Sequence, residues 1–360
     1  MTLEKVYKPL AISVLKRFLS SIPAGIDPRE KFKNILVVRQ HDQLGDMILA
    51  TPMLHALRTT YPAAFISLVT SPVNDRIMLN HPDVDEVICY DKNSLWTFYR
   101  QLRSRNYDLA IVPTTVSLSA TSDIIARLSN ARVRIGPRQL LHRTNQTAFC
   151  FTNPVDLSWD ATPRRHQSLR NLDILKGFGL TEEGSTSTIG LTESEKMAAQ
   201  ESLAPPRKKF KLLLGIHPGA GHPENRWHVD RYAEIAKQFA NEYNAGIVIT
   251  SGPMDREVLS SIEGKITPEH LIVKDKSIRE VAAIINELDM FVTNDTGIMH
   301  VAGAVNTNLL ALFGPSDPLQ WAPIGAKNRF ITGREKSMDS LGMEEVYSIL
   351  RIIALEIAKK

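Results

Sequence analysis

The sequence predicts an α/β protein made of two doubly wound domains, and three observations carry the prediction. Short runs rich in Val, Ile and Leu alternate with longer stretches of helical periodicity. That alternation is the pattern of a parallel sheet covered on both faces by crossover helices. The alternation occurs twice, separated by an irregular stretch. A chain of 360 residues with a hydrophobic fraction of 43% has the length for two domains and the apolar content to give each a core.

In the first series, Asn34–Arg39 (NILVVR), Phe65–Thr70 (FISLVT), Glu86–Tyr90 (EVICY) and Leu109–Pro113 (LAIVP) read as buried strands. Gly45–Tyr61, Pro72–Asn80 and Leu95–Asn106 read as the helices between them. The pattern breaks after Arg143, and residues 144–168 read as polar and irregular. A helix over His166–Phe178 follows, ended by Gly177 and Gly179, and Gly184–Ser187 with Pro205-Pro206 frame an interdomain region.

In the second series, Leu212–Ile216, Gly246–Thr250, Leu271–Val273, Met290–Thr293 and Leu309–Phe313 are the expected strands. Val229–Tyr243, Asp255–Glu263, Ile278–Leu288 and a short helix from Gly297 lie between them, and Gly342–Lys360 closes the chain as a helix. The expected divisions are an amphipathic basic extension over 1–30, an N-terminal domain over 31–190 and a C-terminal domain over 205–335. A terminal helix lies within 336–360, with packing back onto the N-terminal domain as one option. Two such halves are expected to face one cleft, with ligands at the carboxyl ends of the strands.

Composition excludes several classes. Cys89 and Cys150 are too few for a metal cluster or a disulfide framework, and their apolar neighbours suit buried, reduced thiols in a cytosolic protein. The uncharged apolar stretch Pro9–Leu15 falls far short of the ~20 residues needed to span a bilayer. The N-terminal segment sets Lys5, Lys8, Lys16 and Arg17 among Leu10, Ile12, Val14, Leu15, Phe18 and Leu19. Such a helix either lies on an anionic membrane surface or packs on the protein's own body.

Three strand-end segments carry candidate chemistry. The first runs from strand NILVVR through Gln40-His41-Asp42-Gln43-Leu44-Gly45-Asp46 into a helix. Asp46 there is either a helix cap or a carboxylate presented to a ligand, and Gly45 permits close approach to that ligand. Neither a dinucleotide fingerprint nor a P-loop is present. The second is Asn294-Asp295-Thr296-Gly297-Ile298-Met299-His300. Thr296 and Gly297 open a helix whose amides suit a phosphate, and Asp295 suits sugar hydroxyls. His300, one turn on, is either a phosphate donor or a structural residue. The turn Gly314-Pro315-Ser316-Asp317-Pro318, with Trp321 and Pro323 after it, ends the next strand. The third segment is His217-Pro218-Gly219-Ala220-Gly221 followed by Glu224-Asn225-Arg226-Trp227. Its glycines bring backbone donors to a phosphate, and Arg226 is a natural diphosphate partner. His217, His222 and His228 match no zinc spacing, so no metal is expected.

Arg127, Arg132, Arg134, Arg138, Arg143, Arg164, Arg165 and Arg170 crowd one portion of the chain with few acids. Arginines favour bidentate contacts to carboxylates and phosphates. Arg134 and Arg138 are therefore candidates for an acidic acceptor, and a solvated surface is the alternative. No nucleic-acid-binding motif accompanies them.

The three segments, in this order, resemble glycosyltransferase family 9, which includes the ADP-heptose:lipopolysaccharide heptosyltransferases. The matching pieces are VVRQHDQLGDMILATP, HPGA…NRW and NDTGIMH…FGPSDP…WAP, spread over residues 34–325. The resemblance implies a GT-B fold of two Rossmann-like domains, with the acceptor on the first and a nucleotide-sugar donor on the second. It implies Asp46 as the catalytic base, and Asp295, Thr296, Gly297 and His300 as donor-binding residues. The family often carries Lys-Arg-Trp where this chain has Asn225-Arg226-Trp227, so Arg226 is expected to supply the missing charge beside Asn225 and Gly219. Asp255, after the Gly252-Pro253 turn, is the candidate for the nucleoside.

The implied activity is an inverting, metal-independent transfer needing no bound cofactor, with an ADP-sugar as donor. The partners are then an acidic glycolipid or lipopolysaccharide acceptor and the inner-membrane surface, for a cytoplasmic or peripheral protein. A single acceptor-side carboxylate suits a base taking a hydroxyl proton. It argues against the carboxylate pair of a hydrolase. The competing readings are a sugar-nucleotide epimerase, which turns over the donor alone, and a nucleotide-sugar-binding protein, which binds without turnover.

Overall fold

A computed structural model describes residues 12–25, 30–178 and 186–359 of the chain. The chain divides into two compact units, Met1–Ser185 and Thr186–Lys360.

In the first unit, helix α1 covers 12–19. Strand β1 (Asn34–Val38) leads to α2 (Leu44–Ile48) and α3 (Thr51–Thr60), then β2 (Phe65–Thr70) and β3 (Glu86–Cys89). Next come α4 (Leu95–Leu102), β4 (Leu109–Ile111), α5 (Ala120–Leu128), β5 (Val133–Leu140), β6 (Arg143–Thr144), β7 (Asn153–Leu157) and α6 (Gln167–Asp173). The sheet order is β3-β2-β1-β4-β5-β6, and β7 also pairs with β5. All pairs are parallel except β5–β6.

The second unit opens with α7 (Glu193–Lys209) and alternates β8 (Leu212–His217), α8 (Val229–Tyr243), β9 (Ala245–Thr250) and α9 (Arg256–Glu263). Then follow β10 (His270–Val273), α10 (Ile278–Asn286), β11 (Met290–Asn294), α11 (Gly297–Ala304), β12 (Asn308–Phe313), α12 (Pro318–Trp321), β13 (Asn328–Thr332) and α13 (Met343–Ala358). Its six strands are parallel, in the order β10-β9-β8-β11-β12-β13.

Both orders place the first strand of the unit beside the fourth, so chain direction across the sheet reverses there. That switch point opens a crevice at the carboxyl ends of β1 and β4, and again of β8 and β11. The strands adopt their state because residues such as Ile35, Leu36, Val37, Leu213, Leu214 and Val292 are fully buried, as a two-sided sheet demands.

Several expectations change. The helix expected over Gly45–Tyr61 is two helices, because Pro52 at the start of α3 has no amide to continue the preceding turn. Pro72–Asn80 holds only the 3₁₀ turn Arg76–Met78. Residues 144–168 are not irregular throughout: β7 has the sequence NPVDL, and its Pro154 is tolerated at a sheet edge. Helix α5, β5 and β13 carried no assignment from sequence.

Pro205 and Pro206 lie inside α7, not in a linker. The start of the helix is doubly fixed. The Thr192 amide donates to Glu195 Oε2 at 2.8 Å and the Thr192 hydroxyl accepts from the Glu195 amide. Glu195 in turn receives Arg279 of α10. Gly179 and Gly184 lie outside the described residues. In helix α13, Val346, Tyr347, Leu350 and Ile353 are built into the second unit's core with Trp227, Tyr232 and Phe239.

Candidate functional site

In the first unit, β1 is followed directly by Arg39, whose side chain is buried. Its Nη1 donates to the Pro113 carbonyl at 3.2 Å, reaching across the switch point to the end of β4. Its Nη2 lies 3.7 Å from Asp46 Oδ2. Burial pulls the Arg39 guanidinium below its ordinary value, and Asp46 opposes that pull. Asp46 is the third residue of α2; the N-cap position belongs to Gln43, with no side-chain cap bond. The capping alternative for Asp46 is therefore not the one the fold uses. The carboxylate is instead held by Arg39 with 17% of its side chain exposed, which leaves it able to meet a ligand hydroxyl. Asn74 secures the preceding loop, donating from Nδ2 to the His41 carbonyl at 2.6 Å. Burial and Arg39 push the His41 imidazole down.

In the second unit, Asn294 at the end of β11 is fully buried and joins three segments. Its Nδ2 donates to the Pro218 and Gly219 carbonyls, and its Oδ1 accepts from the Trp227 amide and the Tyr232 hydroxyl. This one side chain fixes the His217–Trp227 loop against the Asp-Thr-Gly turn. Arg226 Nε closes the same loop on the Ala220 carbonyl at 3.0 Å, so its remaining guanidinium N–H groups are the ones a phosphate can meet.

Thr296 stands at the N-cap of α11 with no side-chain cap bond, so the first amides of the helix are left for solvent or an anion. Asp295 is half-buried; burial raises its carboxyl above the usual range, and a Ser316 hydrogen bond opposes the shift. Ser316 brings the Gly314–Pro318 turn to the same strand ends. His300 is buried on α11, one turn beyond Thr296.

Asp255 departs from expectation. It is buried, its Oδ2 accepts from the Gly252 amide at 2.9 Å, and His217 Nε2 approaches the same oxygen at 3.5 Å. His217 Nδ1 meets the Thr250 hydroxyl at 3.0 Å. Burial lowers the His217 pKa, with Asp255 opposing. Asp255 therefore serves the protein's own turn instead of presenting a free carboxylate to a nucleoside. Gly219 is tied to this arrangement, because a Cβ there would overlap the Asp255 carboxylate. Beside the turn, at the ends of β9 and β10, a pocket of about 270 Å³ is lined by Ser251, Gly252, Pro253, Arg256 and Lys274 among others.

The arginine reading is also corrected. Arg134 is buried and spends its guanidinium on the Cys150 carbonyl, the Ala131 carbonyl and Ser21 Oγ. Arg138 is exposed but paired in parallel with Asp156 across β5 and β7. Arg165 pairs with Asp173, Arg132 with Glu30, and Arg170 lies over the Trp159 ring. Sequence spacing could not show these partners, which the fold brings in from other segments. His222 meets Glu224 and His228 meets Asp339.

Sequence reading missed Arg39 and Asn294. Each ends a strand as a polar residue after an apolar run, a signal that marks a strand end without revealing its partners.

Residues 95–350 match the model of a family described as Glycosyltransferase family 9 (heptosyltransferase). The sequence is 27% identical over 318 residues to lipopolysaccharide heptosyltransferase 2 of Salmonella typhimurium, covering 81% of this chain and 87% of that protein. The fold is shared with a family 9 glycosyl transferase from Veillonella parvula, with a TM-score of 0.80, 22% identity and coverage of 91% and 98%. It is shared as well with the ADP-heptose lps heptosyltransferase II of E. coli, with a TM-score of 0.76, 23% identity and coverage of 90% and 99%. The two Rossmann-like sheets accordingly belong to the GT-B class.

Proposed function

Because the chain belongs to glycosyltransferase family 9, we propose that it moves a heptose from ADP-heptose onto a lipopolysaccharide-type acceptor with inversion and without a metal ion. The observation that supports this reading most is that each sheet presents a distinct set of polar groups at its switch point. A partly exposed carboxylate, Asp46, stands at the first. An uncapped helix start beside Asp295 stands at the second. The donor and acceptor named for the relatives match this division of labour.

In the proposed step, an acceptor hydroxyl attacks the anomeric carbon while Asp46 takes its proton. The bond from that carbon to the diphosphate oxygen breaks, and the electron pair leaves with the diphosphate. The α11 amides, the outer N–H groups of Arg226 and His300 offset the charge that develops there. Asn225 and Gly219 belong to the loop that Asn294 holds against the same strand ends. The pocket beside Gly252 and Lys274 takes the nucleoside in place of a direct Asp255 contact.

Turnover of ADP-, GDP- and UDP-sugars, with and without a truncated lipopolysaccharide acceptor, tests the reading. Product from ADP-heptose plus acceptor, with EDTA present and the anomeric configuration inverted by NMR, is the expected result. Conversion of the donor alone, or a requirement for added metal, refutes it.

A further inference from the structure

The turn after β13 holds two residues in the left-handed backbone region. Glu335 and Lys336 have φ of 51° and 57°, a conformation that costs L side chains free energy and persists only where neighbours impose it. The neighbours here are strand-end segments of the second unit. The Gly333 amide donates to the Phe313 carbonyl, at the end of β12, at 2.9 Å. A Cβ on Gly314 would overlap Met338, and one on Gly333 would overlap the Ser337 carbonyl. Trp227 Nε1 donates to the Leu341 carbonyl at 2.9 Å, and Arg231 Nη1 to the Asp339 and Leu341 carbonyls. Ser340 Oγ closes the turn on the Arg334 and Ser337 carbonyls. The turn therefore bridges from the end of β12 to the segment after β8, and β11 lies between those two strands.

The bridge walls a cavity of about 310 Å³ lined by Arg226, Pro315, Lys336 and Ser337 among others. Two cations of the lining have no carboxylate partner among the described residues. Arg226 engages the Ala220 carbonyl through Nε, and Lys336 is exposed. Arg334, by contrast, meets Glu345 at 3.6 Å. The two carboxylates of the lining, Glu224 and Asp339, face His222 at 3.9 Å and His228 at 2.9 Å and are largely exposed. An uncommitted guanidinium edge and an uncommitted ammonium in one cavity suit a phosphoryl group. The first offers a planar fork of donors and the second a point charge.

The place of the cavity on the sheet selects the phosphate. On the donor reading above, on which this inference rests, the nucleoside lies at the ends of β9 and β10. The sheet runs β10-β9-β8-β11-β12-β13. From β9 to β11 is two strand spacings, about 10 Å, and the cavity spans the ends of β8 to β13. An extended nucleoside diphosphate reaches it with its terminal phosphate, not with the phosphate beside the ribose.

We propose that Lys336 is a donor-binding residue that holds, with Arg226, the β-phosphate of the nucleoside diphosphate. An oxygen of that phosphate gains charge as the bond to the sugar breaks, so the ammonium also offsets charge on the leaving group.

Calorimetry of the full chain with ADP and with AMP tests the assignment. Lys336→Asn removes the charge and keeps a residue type that tolerates the left-handed backbone. It weakens ADP binding by at least about tenfold, the loss of one charge-assisted contact, and AMP binding by less than about twofold. Lys336→Arg keeps ADP affinity within about threefold of wild type. Melting temperatures of both variants stay at the wild-type value, because the side chain is exposed. Undiminished ADP affinity of Lys336→Asn, an equal loss for AMP, no retention with arginine, or a lowered melting temperature overturns the proposal. If the wild type binds GDP or UDP in place of ADP, the donor reading fails, and the same contrast between that diphosphate and its monophosphate decides the role of Lys336. A wild type that binds no nucleotide overturns both.

Discussion

Replacing Asp46 by Asn keeps the side chain's shape and removes its ability to accept a proton. Loss of a positioned general base lowers kcat by about 10²–10⁴-fold, which is about 3–5 kcal/mol of barrier at about 1.4 kcal/mol per decade. The substitution also removes the carboxylate facing Arg39. At the 3.7 Å separation of that pair, the gross attraction is about 4–5 kcal/mol at an effective dielectric near 20. Asp46 is partly solvated and Arg39 keeps its bond to Pro113, so the net stability loss expected is about 1–2 kcal/mol. The two effects separate by experiment. Single-turnover transfer is measured below the unfolding transition set by circular dichroism, and ADP binding is measured by calorimetry. The expected result is folded protein, donor affinity within about twofold of wild type and kcat down about a thousandfold. Arg39→Met combined with Asp46→Asn regains part of the stability, since no charge is stranded, but not the turnover. A kcat for Asp46→Asn within about tenfold of wild type refutes the assignment.

Three further outcomes follow from the same geometry. Arg134→Met lowers stability by about 2–4 kcal/mol, because it strands buried carbonyl acceptors, while leaving the acceptor KM unchanged; a selective rise in KM at constant melting temperature would return Arg134 to the acceptor site. Gly219→Ala forces a Cβ into the Asp255 carboxylate, and about a tenfold loss of ADP affinity by calorimetry is expected as the loop shifts; unchanged affinity refutes the dependence of the donor site on this turn. Asp123, buried with Asn145 and Thr147 as its donors, has its carboxyl pushed by burial from 3.8 to about 6. The folded state binds this proton more tightly than the unfolded chain, so the contribution is full below about pH 4 and lost as pH rises through about 6, a swing of about 3 kcal/mol. Urea melts of wild type against Asp123→Asn from pH 4 to 7 read it directly, and a pH-independent difference refutes it.

The sequence by itself determined the two-unit α/β architecture and the strands that carry the candidate site. NILVVR, LLLGI, MFVT and LLALF are largely apolar on both faces, and a two-sided parallel sheet buries such runs. The placement of Asp46 and of Asp295-Thr296-Gly297 in strand-end segments was legible too, because each segment begins where such a run stops. The tertiary structure alone decided what the polar side chains do. Arg134, Arg138 and Asp255 resembled ligand-binding groups in sequence, yet their partners Ser21, Asp156 and His217 come from elements 18 to 113 residues away. Arg39 and Asn294 looked like strand ends, yet each joins segments brought together by the crossover order. Strand formation depends on local apolar pattern, whereas the fate of a polar group depends on which distant donor or acceptor the fold brings within about 3 Å, and no local pattern encodes that.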